Sequence, residues 1–390
     1  MNISSAALPV AAPSVLVECA AMTRAVEIAA IVTEKRNTYP ILANVLLRGD
    51  GQTLFITSTD TDIVLDIAVP AAADHAFATT VPAHLLKDLL KGAPKADYVS
   101  ITAPDAESVS LDFEKANYTV AALPVDTFPD LLPGTMSHRF SVPGADLFAA
   151  MSSVEVGISK EETRYYLNGI YVHSVTPHGR NHPELRFVAT DGHRMLRQDL
   201  TAPDGAVDMP GVIIPTRTVK LLLKLLKGKT CPENVEIEVS ETKVRFMFDG
   251  ITILSKIVEG TYPDYERVTP KNNDKLATFS AKALLEGIKA VSVIASDRGG
   301  KAVKFVMEGG NCTLSVTNPD SGTASTTFAI DQASDFGLEI GFNARYLTEL
   351  VEEAQADGDA ITFAFNDAGA PTLITGAREG WLSVLMPMRV

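Results

Sequence analysis

Long apolar runs, cysteine pairs and an excess of basic charge are all missing from this chain of 390 residues. No apolar stretch reaches the roughly 18 residues of a membrane-spanning helix. The N-terminal segment up to Met22 is apolar, yet it has no basic start and prolines interrupt it, so it is not read as a signal peptide. Cys19, Cys231 and Cys312 are odd in number, far apart and without a metal-ligand spacing, which predicts reduced thiols and a cytoplasmic setting. Lys and Arg number 34 against 48 Asp and Glu, a formal charge of -14. That balance argues at face value against nucleic acid, although net charge does not say where the charges sit. The "RGGKAV" segment at Arg298 lacks the spacing and the Ser or Thr of a phosphate-binding loop. With 46% hydrophobic and 21% charged residues the chain is that of a folded, not a disordered, protein.

What is present is repetition. "TTVPAHLLKDLLKG" around Pro82 resembles "VIIPTRTVKLLLKLLKG" around Pro215 and, more weakly, "IGFNARYLTELVEEA" around Asn343, at spacings of 133 and 128 residues. "VDTFPDL" at Pro129, "EGTYPDYERV" at Pro263 and "LMPMRV" at Pro387 are spaced by 134 and 124. Asp60, Asp191 and Asn318 sit in similar segments spaced by 131 and 127. Three landmarks recurring in one order predict three tandem domains, 13–136, 137–275 and 276–390, after a loose tail at 1–12. "LLPGTMSHR" and "VTPKNNDK" at the joints have turn composition. Each unit reads as a helix, alternating strands, a second helix after a Val-Pro or Ile-Pro signal, and more strands. The fold class is α+β, with two helices packed on antiparallel sheets of about eight strands per domain.

The second helix of the middle unit carries a core stripe of Val219, Leu222, Leu223 and Leu226. Arg217, Lys220, Lys224 and Lys227 fall on another face, matched by His84, Lys87 and Lys91 in the first unit. In the third unit the matching Arg345, Thr348 and Glu352 let the stripe fade. Two readings stay open at this stage: an ordinary solvated face, or a surface for an anionic polymer.

"FVATDGHRML", Phe187 to Leu196, has the residue types of an active site. Catalysis by Asp191 and His193 is nevertheless disfavoured, because Asp62 and Asp320 occupy the positions of His193 in the other units and no Ser or Cys nucleophile recurs nearby. His173, His178, His182 and His193 are close in sequence, but "TPHGRNHPE" reads as a loop and not as a ligand cage, so no metal or cofactor is expected.

"RYYLNG" at Arg164, "TDGHRML" at Thr190, "TYPDYERV" at Thr261, "IGFN" at Ile340 and the final "MPMR" at Met386 resemble the bacterial sliding clamp family, the beta subunits of DNA polymerase III. The likeness runs from about residue 14 to Val390. It implies a non-catalytic DNA-clamp fold whose homodimer closes head to tail as a six-domain ring around duplex DNA, independent of base sequence. It also implies partners: the polymerase III catalytic subunit, a clamp loader complex, and replication and repair proteins carrying clamp-binding peptides.

Simple geometry agrees with six domains. A domain of this size has a radius of gyration of about 14 Å, hence a diameter of roughly 36 Å. Three such bodies in a ring leave a gap of about 5 Å and six leave roughly 35 Å, against a duplex roughly 20 Å wide. Cations lining the hole would leave the acidic excess outside.

By the same resemblance, Leu167, Thr190, Gly192, His193, Arg194 and Met195 line a pocket for a short extended partner peptide. Pro263, Arg267, Val268, Asn343, Tyr346, Val384, Met386, Pro387, Met388 and Arg389 complete it. Arg36, Tyr165 and Tyr166 match DNA-touching positions, the two tyrosines being equally readable as core aromatics; Lys87, Lys91, Arg217, Lys220 and Lys224 would join them. At the dimer seam Tyr118 and Val120 would face Ile294 and Ala295 of the partner copy. Gly300 replaces an aromatic gate and would open one pocket edge. The alternative is a peptide-binding scaffold that never threads DNA.

Overall fold

The computed structural model describes residues 13–36, 38–73, 75–130, 132–179, 181–294 and 302–390. The segment 1–12, Ala295 and Gly300 therefore lie outside the described residues. Six α-helices occur among those described: α1 (Cys19–Val32), α2 (Ala83–Gly92), α3 (Gly144–Glu155), α4 (Thr216–Leu226), α5 (Ala281–Ser292) and α6 (Ala344–Gln355). They pack as pairs, α1 with α2, α3 with α4 and α5 with α6, and the first member of each pair lies on strands. Pro82 and Pro215 stand immediately before α2 and α4. A ring-locked φ there suits the turn from strand to helix, and the missing N–H removes no ladder bond at a strand end. None of the described helices is long and apolar enough to cross a membrane.

The chain forms two compact units. One contains the residues up to Ser141 together with Asn234–Lys256. Its antiparallel sheet joins the strand Ile251–Lys256 to Ile63–Ala73, with Leu254 opposite Val64. Along Ile63–Ala73 the burial alternates residue by residue before the strand reaches solvent, as a half-buried strand requires. The other unit contains Val142–Glu233 and Ile257–Val390. There Arg194–Thr201 pairs with Trp381–Leu385, which sets Met195 opposite Val384. A separate four-stranded sheet in this unit ends on Gly322–Ala329.

The recurring Asp/Asn landmark is a turn device. Asp60 Oδ1 accepts from the backbone N–H of Asp62 and Ile63 at 3.0 and 2.7 Å. Asp191 Oδ1 accepts from His193 and Arg194 at 2.9 and 3.1 Å. Asn318 Oδ1 accepts from Asp320 at 3.0 Å. Each is a side chain closing its own loop between two strands. The preceding threonines repeat the pattern, Thr59 donating to Ile63 O and Thr190 to Arg194 O at 2.8 and 2.7 Å. This accounts for the catalytic look of the stretch: the Asp191 carboxylate is taken up by two backbone N–H groups and by Arg194.

Candidate peptide-binding site

In α4 the burial follows the expected stripe at Val219, Leu222 and Leu226, while Leu221 is buried and Leu223 only half so. The helix is thus rotated slightly from the idealised face. Arg217, Lys220, Lys224 and Lys227 are all exposed. In α2 the cations are more engaged, Lys91 pairing with Glu27 at 2.7 Å and Lys87 Nζ lying 3.5 Å from His84 Nδ1. Arg36 is exposed. The two tyrosines divide: Tyr165 is 55% exposed, whereas Tyr166 packs against a buried cluster.

That cluster contains Leu167, Val188, Met195, Ile213, Tyr262 and Val384, joined by Tyr265. So Leu167, Met195 and Val384, three of the residues expected to line a peptide pocket, are buried in the core. The segment around Tyr265 is fastened by Arg186, itself 3% exposed. Its guanidinium bonds Asp199 at 2.7 and 2.9 Å and Glu266 at 2.5 Å. A buried cation so fully partnered is costly to disturb. It holds Pro263, Arg267 and Val268 at the surface beside the cluster, where all three are exposed.

A cavity of about 550 Å³, lined by none of these cluster residues, brings His193, Arg194 and Tyr346 together. Arg194 is only 5% exposed. Its Nε donates to Asp191 Oδ2 at 3.2 Å, its Nη2 to the carbonyl of Val156, and its carbon centre lies 4.5 Å from the Tyr346 ring. Nη1 stands 2.6 Å from Glu349 Oε2, close enough for an ion pair, but that contact is not aligned as a hydrogen bond. The His193 ring stacks on Tyr346 with centroids 6.1 Å apart. Tyr346 is set in place because Asn343 caps α6, its Oδ1 accepting from Arg345 and Tyr346 at 3.0 and 3.3 Å.

Gly192 has φ of +88°, a conformation that glycine adopts without strain, and a Cβ there would approach Arg164 Nη1 to 2.5 Å, so the flexible Arg164 side chain would have to shift. The C-terminal segment is tied to His193 and Gly341 through the backbone. Met386 N–H donates to His193 O at 2.9 Å and Met388 N–H to Gly341 O at 2.8 Å. Met386 also lines a second cavity of about 540 Å³ with Arg267 and Val268. Pro387 and Met388 are half-buried and Arg389 is exposed.

Val156, Glu349 and Asp191, the groups that hold Arg194, were not among the expected site residues. Nor were Ser159, Lys160 and Glu161, which line the same cavity beside Lys220. Glu349, four residues after Arg345 on α6, had a helical-pair spacing as its only signal. At the expected dimer seam, Tyr118 is half-buried and Val120 buried on Ala116–Ala121, an edge strand of its sheet. Ile294 is half-buried, and its carbonyl accepts from Asn318 Nδ2 at 3.0 Å.

Three family models match the chain in succession: the N-terminal, central and C-terminal domains of the DNA polymerase III beta subunit, over residues 14–133, 141–264 and 266–389. A beta sliding clamp of Caulobacter vibrioides is 36% identical over 96% of this chain and 99% of that protein. One from Pseudomonas putida is 30% identical over 95% and 98%. Among solved structures, a sliding clamp of Bartonella birtlesii bound to griselimycin aligns with a TM-score of 0.89 at 37% identity, covering 97% of this chain and 99% of that one. A Caulobacter crescentus beta sliding clamp with polyethylene glycol bound to a putative beta-motif tethering region aligns at 0.91 and 35%, over 97% and 100%.

Proposed function

Because the chain belongs to the family of DNA polymerase III beta subunits, the non-catalytic beta sliding clamps, we propose that two copies close head to tail into a ring around duplex DNA. The ring confers processivity on the replicative polymerase in the cytoplasm. It is opened by a separate clamp loader, and it receives peptides of the polymerase and of repair proteins in the cavity at Arg194. Three domains per copy, 13–136, 137–275 and 276–390, supply the six bodies.

The observation that carries the peptide reading is the Arg194 guanidinium. It is buried, fixed on three sides, and its Nη1 makes no hydrogen bond among the described residues. A backbone carbonyl or carboxylate of an incoming peptide completes it. Val156, Ile158 and Tyr346 give apolar walls, and Met386, which repacks readily around different side chains, lies in the neighbouring cavity with Arg267 and Val268.

The exposed cations of α4 support the DNA reading. In a chain of charge -14 they gather on one helix face. Contacts of lysine and arginine to phosphate are independent of base sequence and permit sliding. The edge strand Ala116–Ala121 supports closure, since an unpaired edge accepts another strand. Imaging of single particles is the test. An annulus with an opening of roughly 35 Å is expected, and a compact particle without a hole would favour the non-threading scaffold.

A further inference from the structure

The two strand ladders, one in each compact unit, correspond residue by residue. In one, Leu46 lies opposite Thr57, Thr59 opposite Val64, and Val64 opposite Leu254. In the other, Tyr171 lies opposite Val188, Thr190 opposite Met195, and Met195 opposite Val384. The match extends outward, Asp66 facing Thr252 where Arg197 faces Leu382. Arg245 faces Leu254 where Leu373 faces Val384. Phe128 and Pro129 stand where Tyr262 and Pro263 do in the repeated motif.

The second lattice is filled. Tyr171 and Tyr262 stack with centroids 4.7 Å apart, and Met195 and Val384 are buried beneath them. The first lattice has smaller or polar groups at the same nodes: Leu46 for Tyr171, Thr57 for Val188, Val64 for Met195. The result is a cavity of about 360 Å³ walled by Leu46, Val64, Leu254, Phe128, Pro129 and Leu132. Leu132 is 66% exposed at its mouth. That volume suits one or two side chains and not a folded element.

Four charged groups face the cavity, and two are spent. Asp66 accepts the Thr57 hydroxyl at 2.6 Å. Arg245 Nε donates to Glu238 at 2.7 Å. Arg48 is exposed and ion-pairs with no carboxylate among the described residues. Asp130 is the fourth charged residue of the lining.

We propose that this cavity is a second peptide site. It takes a short extended segment of a partner protein whose bulky apolar side chain packs onto the Val64–Leu254 cross-strand pair, with a neighbouring carboxylate on Arg48. The assignment goes beyond the reading of the Arg194 cavity, and rests on it only for the class of partner.

The test uses the full-length chain with labelled methyl groups and the probe peptide acetyl-Gly-Leu-Phe-Asp-Gly-amide. Resonances of Val64 and Leu254 report this cavity, while those of Val156 and Ile158 report the Arg194 cavity. Saturable shifts at Val64 and Leu254 are expected, and R48E should weaken them about tenfold, near 1.4 kcal/mol. Replacing the peptide aspartate by lysine should restore binding to R48E. Shifts at Val156 and Ile158 alone, up to millimolar peptide, would overturn the proposal and leave the Arg194 pocket standing. Shifts at Val64 and Leu254 that ignore R48E would overturn it too. Shifts at Val64 and Leu254 alone, reversed by the charge swap, would uphold this site while removing the Arg194 reading.

Discussion

The guanidinium of Arg194 lies 4.5 Å over the ring of Tyr346, joining the strand Arg194–Thr201 to α6 across the cavity. A cation over an aromatic face at a largely desolvated site contributes on the order of 1–2 kcal/mol. Here the same cation also holds the Asp191 turn and the Val156 carbonyl. Replacing Arg194 by Ala should therefore weaken partner-peptide binding by roughly 100-fold or more, about 3 kcal/mol. It should also lower the melting temperature, yet leave the dimer intact. Peptide titration beside sedimentation checks this, and unchanged peptide affinity would remove Arg194 from the pocket.

Gly341 gives a second handle. A Cβ there would collide with Val390 and come within 2.6 Å of Met388 O. Gly341→Ala should push the C-terminal segment off its strand and match the loss of peptide affinity caused by deleting Met386 to Val390. Binding retained in both variants would show that the tail is not part of the wall.

Glu353 on α6 predicts a pH effect. Burial pushes its carboxyl up to about 7, with Glu155, Glu352 and Asp357 adding and Arg378 opposing. A raised carboxyl pKa means that the folded state prefers the protonated form. Its favourable share is complete below the ordinary carboxylate range, near pH 4.5, and is lost as pH rises through about 7. Glu353→Gln should thus stabilise the chain at pH 8 by on the order of 1–2 kcal/mol and have little effect at pH 4.5. Melting curves at both values decide it; equal shifts would refute the titration.

Thr61 has φ of +79°, at the position of Gly192 in the repeated turn. A β-branched residue there is strained, at a cost of roughly 1–2 kcal/mol. Thr61→Gly should raise stability by about 0.5–1 kcal/mol after the entropy of the added glycine is subtracted. Chemical denaturation measures it, and a destabilised variant would contradict the strain.

On α4, Lys220→Glu and Lys224→Glu should each lower the salt dependence of DNA binding. The expected change in slope is about one or more per substitution. Binding that keeps its slope would place this face away from the duplex.

The repeat and the two helices of each unit were legible in the sequence because their signals are local, whereas the turn made by the Asp191 side chain was visible only as a recurring landmark. The proline before α4 and the Asp191 turn depend on a few adjacent residues, and their spacing near 130 survives substitution. The long-range pairings were not legible. Nothing in the sequence says that Leu254 lies opposite Val64, or Val384 opposite Met195, since a strand's period of two is the same whichever partner it finds. The role of Leu221 in the core was missed for a different reason. The idealised stripe ignores how α4 rotates when it packs on α3. The two tyrosines, alike in sequence, were separated only by the surface each one meets.

The central claim, threading, is tested most directly by retention after loading with the clamp loader, on nicked circular DNA and on the same DNA cut once. The protein is expected to stay on the circle through a high-salt wash and to run off the linear form. Equal loss from both, or equal retention, would mean that it binds the duplex from outside and does not encircle it.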